Sequence, residues 1–128
     1  MSYYLAKTVA TPFEEAVGRI TAALKLEGFG VLTDIDVQAT LKAKLGVDTP
    51  KYRILGACNP AFAHQALQLE NKLGVLLPCN VIVREESARQ TEIAAIDPVA
   101  SMEQTGNPKL AAVAAEVRMR LQRALAEV

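Results

Sequence analysis

The sequence is poor in several residue types that mark particular classes of protein. Its 128 residues include two cysteines, one histidine and no tryptophan. Two cysteines are too few for the disulfide framework of a small secreted domain, so we expect reduced thiols. The single histidine, His64, excludes a histidine-rich metal site. A phosphate-binding loop, a dinucleotide-binding fingerprint, a zinc-binding helix motif and a nucleophile elbow are also missing. The known sequence motifs therefore assign no metal ligands and identify no cofactor.

The sequence also lacks an excess of either charge and any long hydrophobic run. Its 14 Lys and Arg residues balance its 14 Asp and Glu residues, so we expect no dedicated nucleic-acid partner. No charge-free apolar run approaches the roughly 20 residues that cross a bilayer. The N-terminal MSYYLAKTVATPF lacks the basic opening and apolar stretch of a secretion signal. These features predict a cytoplasmic protein with no membrane partner.

The remaining composition is typical of a globular domain. Hydrophobic residues make up 51% of the chain and charged residues 22%, both close to the averages for folded proteins. A chain of this length has room for one hydrophobic core and little room for a second. We therefore expect a single domain over residues 1–128.

Apolar periodicity and turn residues predict five strands and four helices. The strands are expected at 3–9, 29–35, 52–58, 80–86 and 91–96, and the last two form a hairpin. The helices are expected at 12–27, 37–45, from 60 to about 70 and at 108–128. Residues 97–107 are expected to be irregular. The hairpin excludes an all-parallel sheet.

Local signals add detail to two of the helices. Thr11 and Glu14 have the spacing of a capping box at the start of the first helix. Phe62, Ala63, Ala66 and Leu67 are expected to face the core from the third helix.

Charged residues on the last helix are interpreted as structural. Ion pairs are expected between Glu116 and Arg120 and between Arg123 and Glu127. With Arg118, these cations suit the helix end, so an anion-binding or nucleic-acid patch is the weaker interpretation.

The pattern favours an α+β fold. A mostly antiparallel five-stranded sheet would be covered on one face by the long first and last helices. Tyr3, Leu5, Ile54, Val81 and Ile93 make both alternating sets of strand residues apolar. A second subunit covering the other sheet face would explain this, so we predict a homodimer.

Two short segments are the candidates for chemistry, Cys58-Asn59-Pro60 and Pro78-Cys79-Asn80. Cys58 lies just before a predicted helix N-terminus, which favours a thiolate or a bound anion. If the third and fourth strands are adjacent and antiparallel, the two thiols lie close together. They could then form a redox disulfide, a two-thiolate site for a soft metal or the floor of a ligand pocket. The alternative is two buried cysteines without chemistry, with Asn59 and Pro60 as ordinary helix-start residues.

Three further residues attract attention. His64 could form a couple with Cys58, although a partly exposed helix histidine is the simpler interpretation. Gly18 interrupts a predicted helix and Gly56 a predicted strand. Both glycines suggest close backbone packing or, second, an approaching ligand.

The run YRILGACNPAFAHQAL followed by GVLLPCNVIV resembles the signature of the domain of unknown function 302 family. The likeness extends to the GFGVLTDIDV stretch and to the Asp97-Pro98 turn. It implies a domain similar to the TATA-binding-protein-like fold, with a curved antiparallel sheet and a tendency to form dimers. The family pattern falls on Cys58, Asn59, Pro60, Pro78, Cys79 and Asn80, whereas His64 lies outside it. The family has no assigned activity, so the resemblance implies a place and not a mechanism.

Three functions remain open from the sequence. The leading hypothesis is a cytoplasmic homodimeric module that binds a small molecule, with anions among the candidates. The candidate binding residues come from the two cysteine segments and the helix that follows the first: Cys58, Asn59, Pro60, Cys79, Asn80 and His64. The second hypothesis is a redox or acyl-transferring thiol enzyme with Cys58 as nucleophile and Cys79 as resolving partner. The third is a purely structural dimerisation domain.

Overall fold

The computed structural model describes residues 2–128 and contains five strands, five helices and two 3₁₀ turns in that part of the chain. The strands are β1 (Tyr4–Val9), β2 (Gly30–Asp36), β3 (Tyr52–Cys58), β4 (Cys79–Ser87) and β5 (Gln90–Ile96). The helices are α1 (Phe13–Leu26), α2 (Val37–Leu45), α3 (Pro60–Leu69), α4 (Pro98–Glu103) and α5 (Ala111–Ala126). The 3₁₀ turns are Leu73–Leu76 and Pro108–Leu110.

The five strands form one sheet in the order β1-β5-β4-β3-β2, and every neighbouring pair is antiparallel. The β4–β5 hairpin and the β3–β4 pairing are therefore confirmed. Together with the helices, the sheet gives the α+β fold that the pattern predicts.

One face of the sheet packs against α1 and α5. Alternate strand residues point toward these helices and are fully buried, including Leu55, Val81 and Ile93. From the helices, Ile20 and Leu121 enter the same core and are also fully buried. The apolar stripes of the first and last helices therefore bury against the sheet, as expected from their period.

The other face, which we call the open face, carries the alternate residues, and they are exposed or half-buried. Cross-strand partners form an apolar row that crosses the whole sheet. The row runs in the order Ile35, Ile54, Ile82, Ala94 and Ala6. Leu5, Val81 and Ile93, which the sequence argument for a dimer had included, face the helices instead. The open face is therefore apolar because of a largely different set of residues from the one that the sequence argument named.

The prediction of a capping box at Thr11 and Glu14 is wrong. The N-cap of α1 is Pro12, and no side chain caps this helix end. Thr11 is buried, and its carbonyl accepts a hydrogen bond of 2.7 Å from the Thr91 hydroxyl. The segment before α1 is therefore held to β5 by a tertiary hydrogen bond, while the first-turn N–H groups of α1 have no side-chain cap.

Residues 97–107 are not irregular throughout, because α4 occupies Pro98–Glu103. Asp97 caps this helix, accepting from the backbone N–H groups of Val99 and Ala100, and its second carboxylate oxygen accepts from Arg118 at 3.0 Å. This cap and ion pair explain why a helix of only 6 residues forms.

Two expected side-chain environments also differ. Leu67 on α3 is 39% exposed and does not face the core. Arg123 donates to the Glu27 carboxylate at 2.9 Å, so its partner is at the end of α1 instead of Glu127. The expected Glu116–Arg120 pair is present at 3.1 Å. A contact between two helices therefore replaces the expected Arg123–Glu127 pair, whereas the Glu116–Arg120 pair forms within α5 as expected.

No helix within residues 2–128 is both long enough and apolar enough to cross a membrane.

Candidate functional site

The sheet brings the two cysteine segments together. Ala57 on β3 and Cys79 on β4 are directly paired, so Cys58 lies one residue along from the partner of Cys79. β3 ends at Cys58 and β4 begins at Cys79. The chain turns into α3 after the first thiol and enters the sheet at the second. Both thiols therefore lie at one end of the central strands.

A narrow cavity adjoins both thiols, between the sheet end and the helices. The centre of a water-sized molecule can reach about 40 Å³ of it. This is enough for an ion or a few water-sized groups and too narrow for a nucleotide. The lining residues are Phe29, Ala57, Cys58, Asn59, Phe62, Ala63, Ala66, Leu77, Pro78, Cys79, Met102, Val113 and Val117.

The lining includes three sulfur-containing residues, Cys58, Cys79 and Met102, and one residue with a side-chain amide, Asn59. We call it the sulfur-lined cavity. Its sulfurs come from β3, β4 and α4, which are far apart in the sequence. The surrounding side chains are aliphatic or aromatic, so the cavity offers soft and apolar contacts.

The two thiols are free and differ in burial. Cys58 is half-buried, whereas Cys79 is 8% exposed. Burial, with a smaller contribution from the negative charge of a Cys58 thiolate, raises the pKa of Cys79 to about 11. Cys79 is therefore a neutral thiol at neutral pH.

Asn59 joins the start of α3 to the end of α1. It occupies the N-cap position of α3 but makes no side-chain hydrogen bond to that helix. Its amide donates instead to the Glu27 carbonyl oxygen at 3.4 Å. The first-turn N–H groups of α3 consequently lack a side-chain cap beside the sulfur-lined cavity.

Arg120 closes this corner from α5. Its guanidinium donates to the Glu27 carbonyl oxygen at 3.2 Å and to Glu116 at 3.1 Å. The same group lies over the ring of Phe62, 5.1 Å from the centroid, and Phe62 lines the cavity. A cation is thus fixed against one wall of the cavity.

The remaining candidate residues lie outside the sulfur-lined cavity. Pro60 is the exposed first residue of α3, and His64 is exposed on the same helix. Neither residue lines the cavity. Asn80 is exposed on the open face, beside a shallow groove that includes Tyr52 and Arg84. The structure therefore unites Cys58, Asn59 and Cys79 and separates the other three candidates from them.

Sequence reasoning missed Met102. It lies in α4, in the segment that was expected to be irregular, so no apolar stripe directed attention to it. A signal was present nevertheless, because Asp97-Pro98 repeats the cap-plus-proline start of Asn59-Pro60. Applied consistently, that rule would have placed a helix at Met102.

No group of three or more His, Cys, Asp and Glu side chains able to hold a metal ion occurs in the described part of the chain. Among these residue types the cavity has only the two thiols of Cys58 and Cys79.

The comparisons with known proteins agree with one another. A family model described as "Domain of unknown function DUF302" matches residues 5–128. The fold is similar to the crystal structure of an uncharacterized conserved DUF302 protein from Bacillus stearothermophilus, with a TM-score of 0.92 and 31% sequence identity. The similarity covers 99% of this chain and 98% of that chain. Among curated proteins, none matches this sequence significantly.

Proposed function

This chain belongs to the DUF302 family, and we propose that it is a homodimeric module that binds a small ligand in the sulfur-lined cavity. One observation supports the proposal: two cysteines from separate sequence segments line the same apolar cavity. Interiors are normally packed with few voids larger than a water molecule, so a cavity at this place is a reasonable binding site.

The properties of the cavity restrict the ligand. Its narrow space excludes large metabolites, and its lining favours soft or apolar groups over strongly hydrated ones. The uncapped first turn of α3 and the cation of Arg120 favour any negative charge that a bound group carries. A small ligand with a soft or apolar body suits this environment.

The high pKa of Cys79 favours binding over thiol catalysis. A resolving cysteine attacks as a thiolate, and a thiol with a pKa of about 11 is almost entirely protonated at neutral pH. Nucleophilic chemistry is therefore the less well supported function. Reduced thiols suit the cytoplasmic location that we propose for a single domain.

Ligand binding can be tested by blocking the cavity from one side of α3. Ala63 lines the cavity, whereas Ala61 is exposed on the same helix and does not line it. Leucine at position 63 should fill space that a ligand needs, and Ala61→Leu is the matched control. Melting temperatures would be measured with short-chain alkanols, short-chain alkanoates and Cu(I) as probes. Each variant is compared with its own probe-free sample.

We expect at least one probe to stabilise the wild type and Ala61→Leu but not Ala63→Leu. Saturation at about 100 times Kd gives about 2.7 kcal/mol of stabilisation, which raises the melting temperature by about 10 °C in a domain of this size. A panel without any stabilising probe would contradict the binding function. Equal stabilisation of both variants would place the site elsewhere.

The open face supports the homodimer. Its apolar row extends over all five strands, which is unusual for a sheet face left in water. Arg84 on this face pairs with Glu92 at 2.7 Å and Glu86 at 3.1 Å, so the surface carries both charge signs. A second copy rotated by a two-fold axis meets the same mixture, and a formal net charge of 0 limits repulsion between copies. A second copy is therefore the occupant that we propose.

The oligomeric state tests this part of the proposal. Ile54→Lys places a charge within the apolar row, whereas Leu26→Lys places one at the end of α1, where Leu26 is 79% exposed. Size-exclusion chromatography with light scattering should give dimers for the wild type and Leu26→Lys and monomers for Ile54→Lys. A monomeric wild type, or an unaltered dimer in Ile54→Lys, would refute the assigned interface.

A further inference from the structure

Three sulfur-bearing residues converge on the sulfur-lined cavity, and the sequence separates them widely. Cys58 comes from the end of β3, Cys79 from the start of β4 and Met102 from α4. Met102 is only 5% exposed, so its thioether is held within the protein and does not move freely in solvent. Two thiols and a thioether are a soft ligand set.

We propose that the sulfur-lined cavity binds a soft monovalent metal ion, Cu(I), through the thiolates of Cys58 and Cys79 and the thioether of Met102. This inference rests on the proposed function, because it names the ligand class of that same cavity. Thiolate and thioether ligands select Cu(I), whereas Zn²⁺ usually takes four N, S or O ligands and hard cations take oxygen.

The size of the cavity agrees with an ion. The centre of a water-sized molecule reaches only about 40 Å³, which is little for an organic metabolite but ample for one metal ion. The apolar lining contains no carboxylate or imidazole that would compete with sulfur or favour a hard cation. Exclusion of water would also protect the bound ion from exchange.

Cu(I) bound by two thiolates would carry a negative charge, and groups near the cavity stabilise such a charge. On binding, each cysteine S–H gives its proton to solvent and forms an S–Cu bond, while the thioether binds without losing a proton. Two thiolates and one Cu(I) leave a net charge of −1. The first turn of α3, which Asn59 leaves without a side-chain cap, favours that negative charge, while the Arg120 guanidinium over Phe62 is already paired with Glu116.

The proton balance predicts a pH dependence of affinity. Cu(I) must displace two protons, so apparent affinity should rise with pH as long as both thiols start protonated. A site that used only the thioether, or only surface groups, would not release two protons. Proton release measured in weak buffer during titration therefore counts the thiols that bind.

The experiment is an anaerobic titration of the reduced full chain with Cu(I) in competition with a coloured Cu(I) chelator such as bicinchoninate. We expect one Cu(I) per chain for the wild type and none retained by Cys58→Ser or Cys79→Ser. Met102→Leu should weaken affinity by about 10- to 100-fold, at least as much as loss of an outer-shell partner. Met119→Leu is the matched control, because Met119 is 41% exposed and does not line the cavity. Its affinity should be unchanged.

X-ray absorption spectroscopy counts the sulfur ligands of copper directly and does not depend on the affinity measured by chelator competition. Copper should have three sulfur neighbours in the wild type and two in Met102→Leu. Circular dichroism checks that the variants fold, and Cys79→Ala replaces Cys79→Ser if the hydroxyl unfolds the buried site. Retention of Cu(I) by either cysteine variant, or half an ion per chain bridging two copies, would overturn the inference.

Failure of this inference differs from failure of the proposed function. If the chelator removes all Cu(I) from the wild type while an alkanol or alkanoate still stabilises it, the cavity binds a ligand of another class. If no probe of either kind binds, both proposals fall.

Discussion

Gly56 lies where side chains from two flanking segments meet over β3. A methyl group on its α-carbon would collide with the Thr33 hydroxyl and lie 2.8 Å from Pro78 Cγ. Thr33 is the β2 partner of Gly56, directly after an irregularity in the register. Pro78 precedes Cys79 and lines the sulfur-lined cavity. This glycine therefore permits close packing beside the site, which was the more favoured of its two interpretations.

Gly56→Ala and Gly18→Ala should change stability in opposite directions. The first overpacks a strand and should lower the free energy of unfolding by about 1 to 3 kcal/mol. Gly18 is exposed in the middle of α1, with nothing within 4 Å of an added methyl group. Alanine there should raise the free energy of unfolding by about 0.5 to 1 kcal/mol through helix propensity.

Urea denaturation of both variants measures the difference. Stabilisation by Gly56→Ala would mean that Thr33 and Pro78 move aside easily. Loss of stability in Gly18→Ala would imply that this glycine has a packing role, which the sequence suggested and the surrounding open space does not support.

At the scale of elements, the long segments were predictable from their periodicity, whereas α4 could be predicted only from its Asp97-Pro98 start. The stripes of α1 and α5 and the hairpin follow from local pattern alone, because burial of one face fixes them. α4 was missed because a helix of 6 residues has too few apolar positions to show a period, and its stability comes from Asp97 and the distant Arg118. An ion pair across 21 residues has no signal in one sequence.

The C-terminal end of α5 depends on a contact with β1. Lys7 points to the helix side of the sheet, and its ammonium donates to the carbonyl oxygens of Leu125 at 3.2 Å and Val128 at 2.6 Å. The Leu125 carbonyl also accepts from the backbone N–H of Val128 at 3.3 Å, and a cation suits this end of the helix dipole. Lys7 thus fixes the last turn of α5 onto the first strand.

Lys7→Met keeps most of the side-chain volume and removes the donors. We expect the free energy of unfolding to fall by about 1 to 3 kcal/mol, as for a hydrogen bond to a charged group. Lys25→Met, at an exposed lysine in the last turn of α1, should change stability by less than about 0.5 kcal/mol. Hydrogen exchange of the amides in the last turn of α5 reports the local effect. Equal losses in the two variants would show that the tertiary contact contributes nothing.

At the scale of the whole molecule, the sequence could predict that two thiols share one sheet end but not what surrounds them. Adjacency of Cys58 and Cys79 follows from antiparallel pairing of consecutive strands. The third sulfur, Met102, depends on how α4 packs. Asn80 was predicted to share the site with Cys79 because the two are adjacent in the sequence. Strand alternation instead places Asn80 on the opposite face of the sheet. One step along a strand separates a cavity residue from a surface residue.

Ion pairs also connect the helices to the sheet, and we expect their contribution to stability to decrease in acid. Arg53 on β3 donates to the Asp34 carboxylate of β2 through Nε at 2.7 Å and through Nη2, and Glu14 of α1 lies 3.9 Å from the same guanidinium. The hydrogen bond from Arg53 is the main reason that the pKa of Asp34 lies below its ordinary value, with burial acting in the opposite direction. Protonation of one carboxyl therefore weakens contacts among three elements.

A lowered pKa in the folded state means that the pair stabilises the protein above the unfolded-state pKa of Asp34 and loses this effect as pH falls through the folded-state value. Asp34→Asn should therefore be less stable than the wild type at neutral pH, by less than about 1 kcal/mol because the pair is partly solvated. The gap should narrow below about pH 4 and disappear in stronger acid. Asp48→Asn is the control, since that carboxylate pairs with Lys42 but is 87% exposed. Urea denaturation across this pH range measures the gap, and a gap that stays constant into strong acid would show that the loss at Asp34 comes from packing and not from its charge.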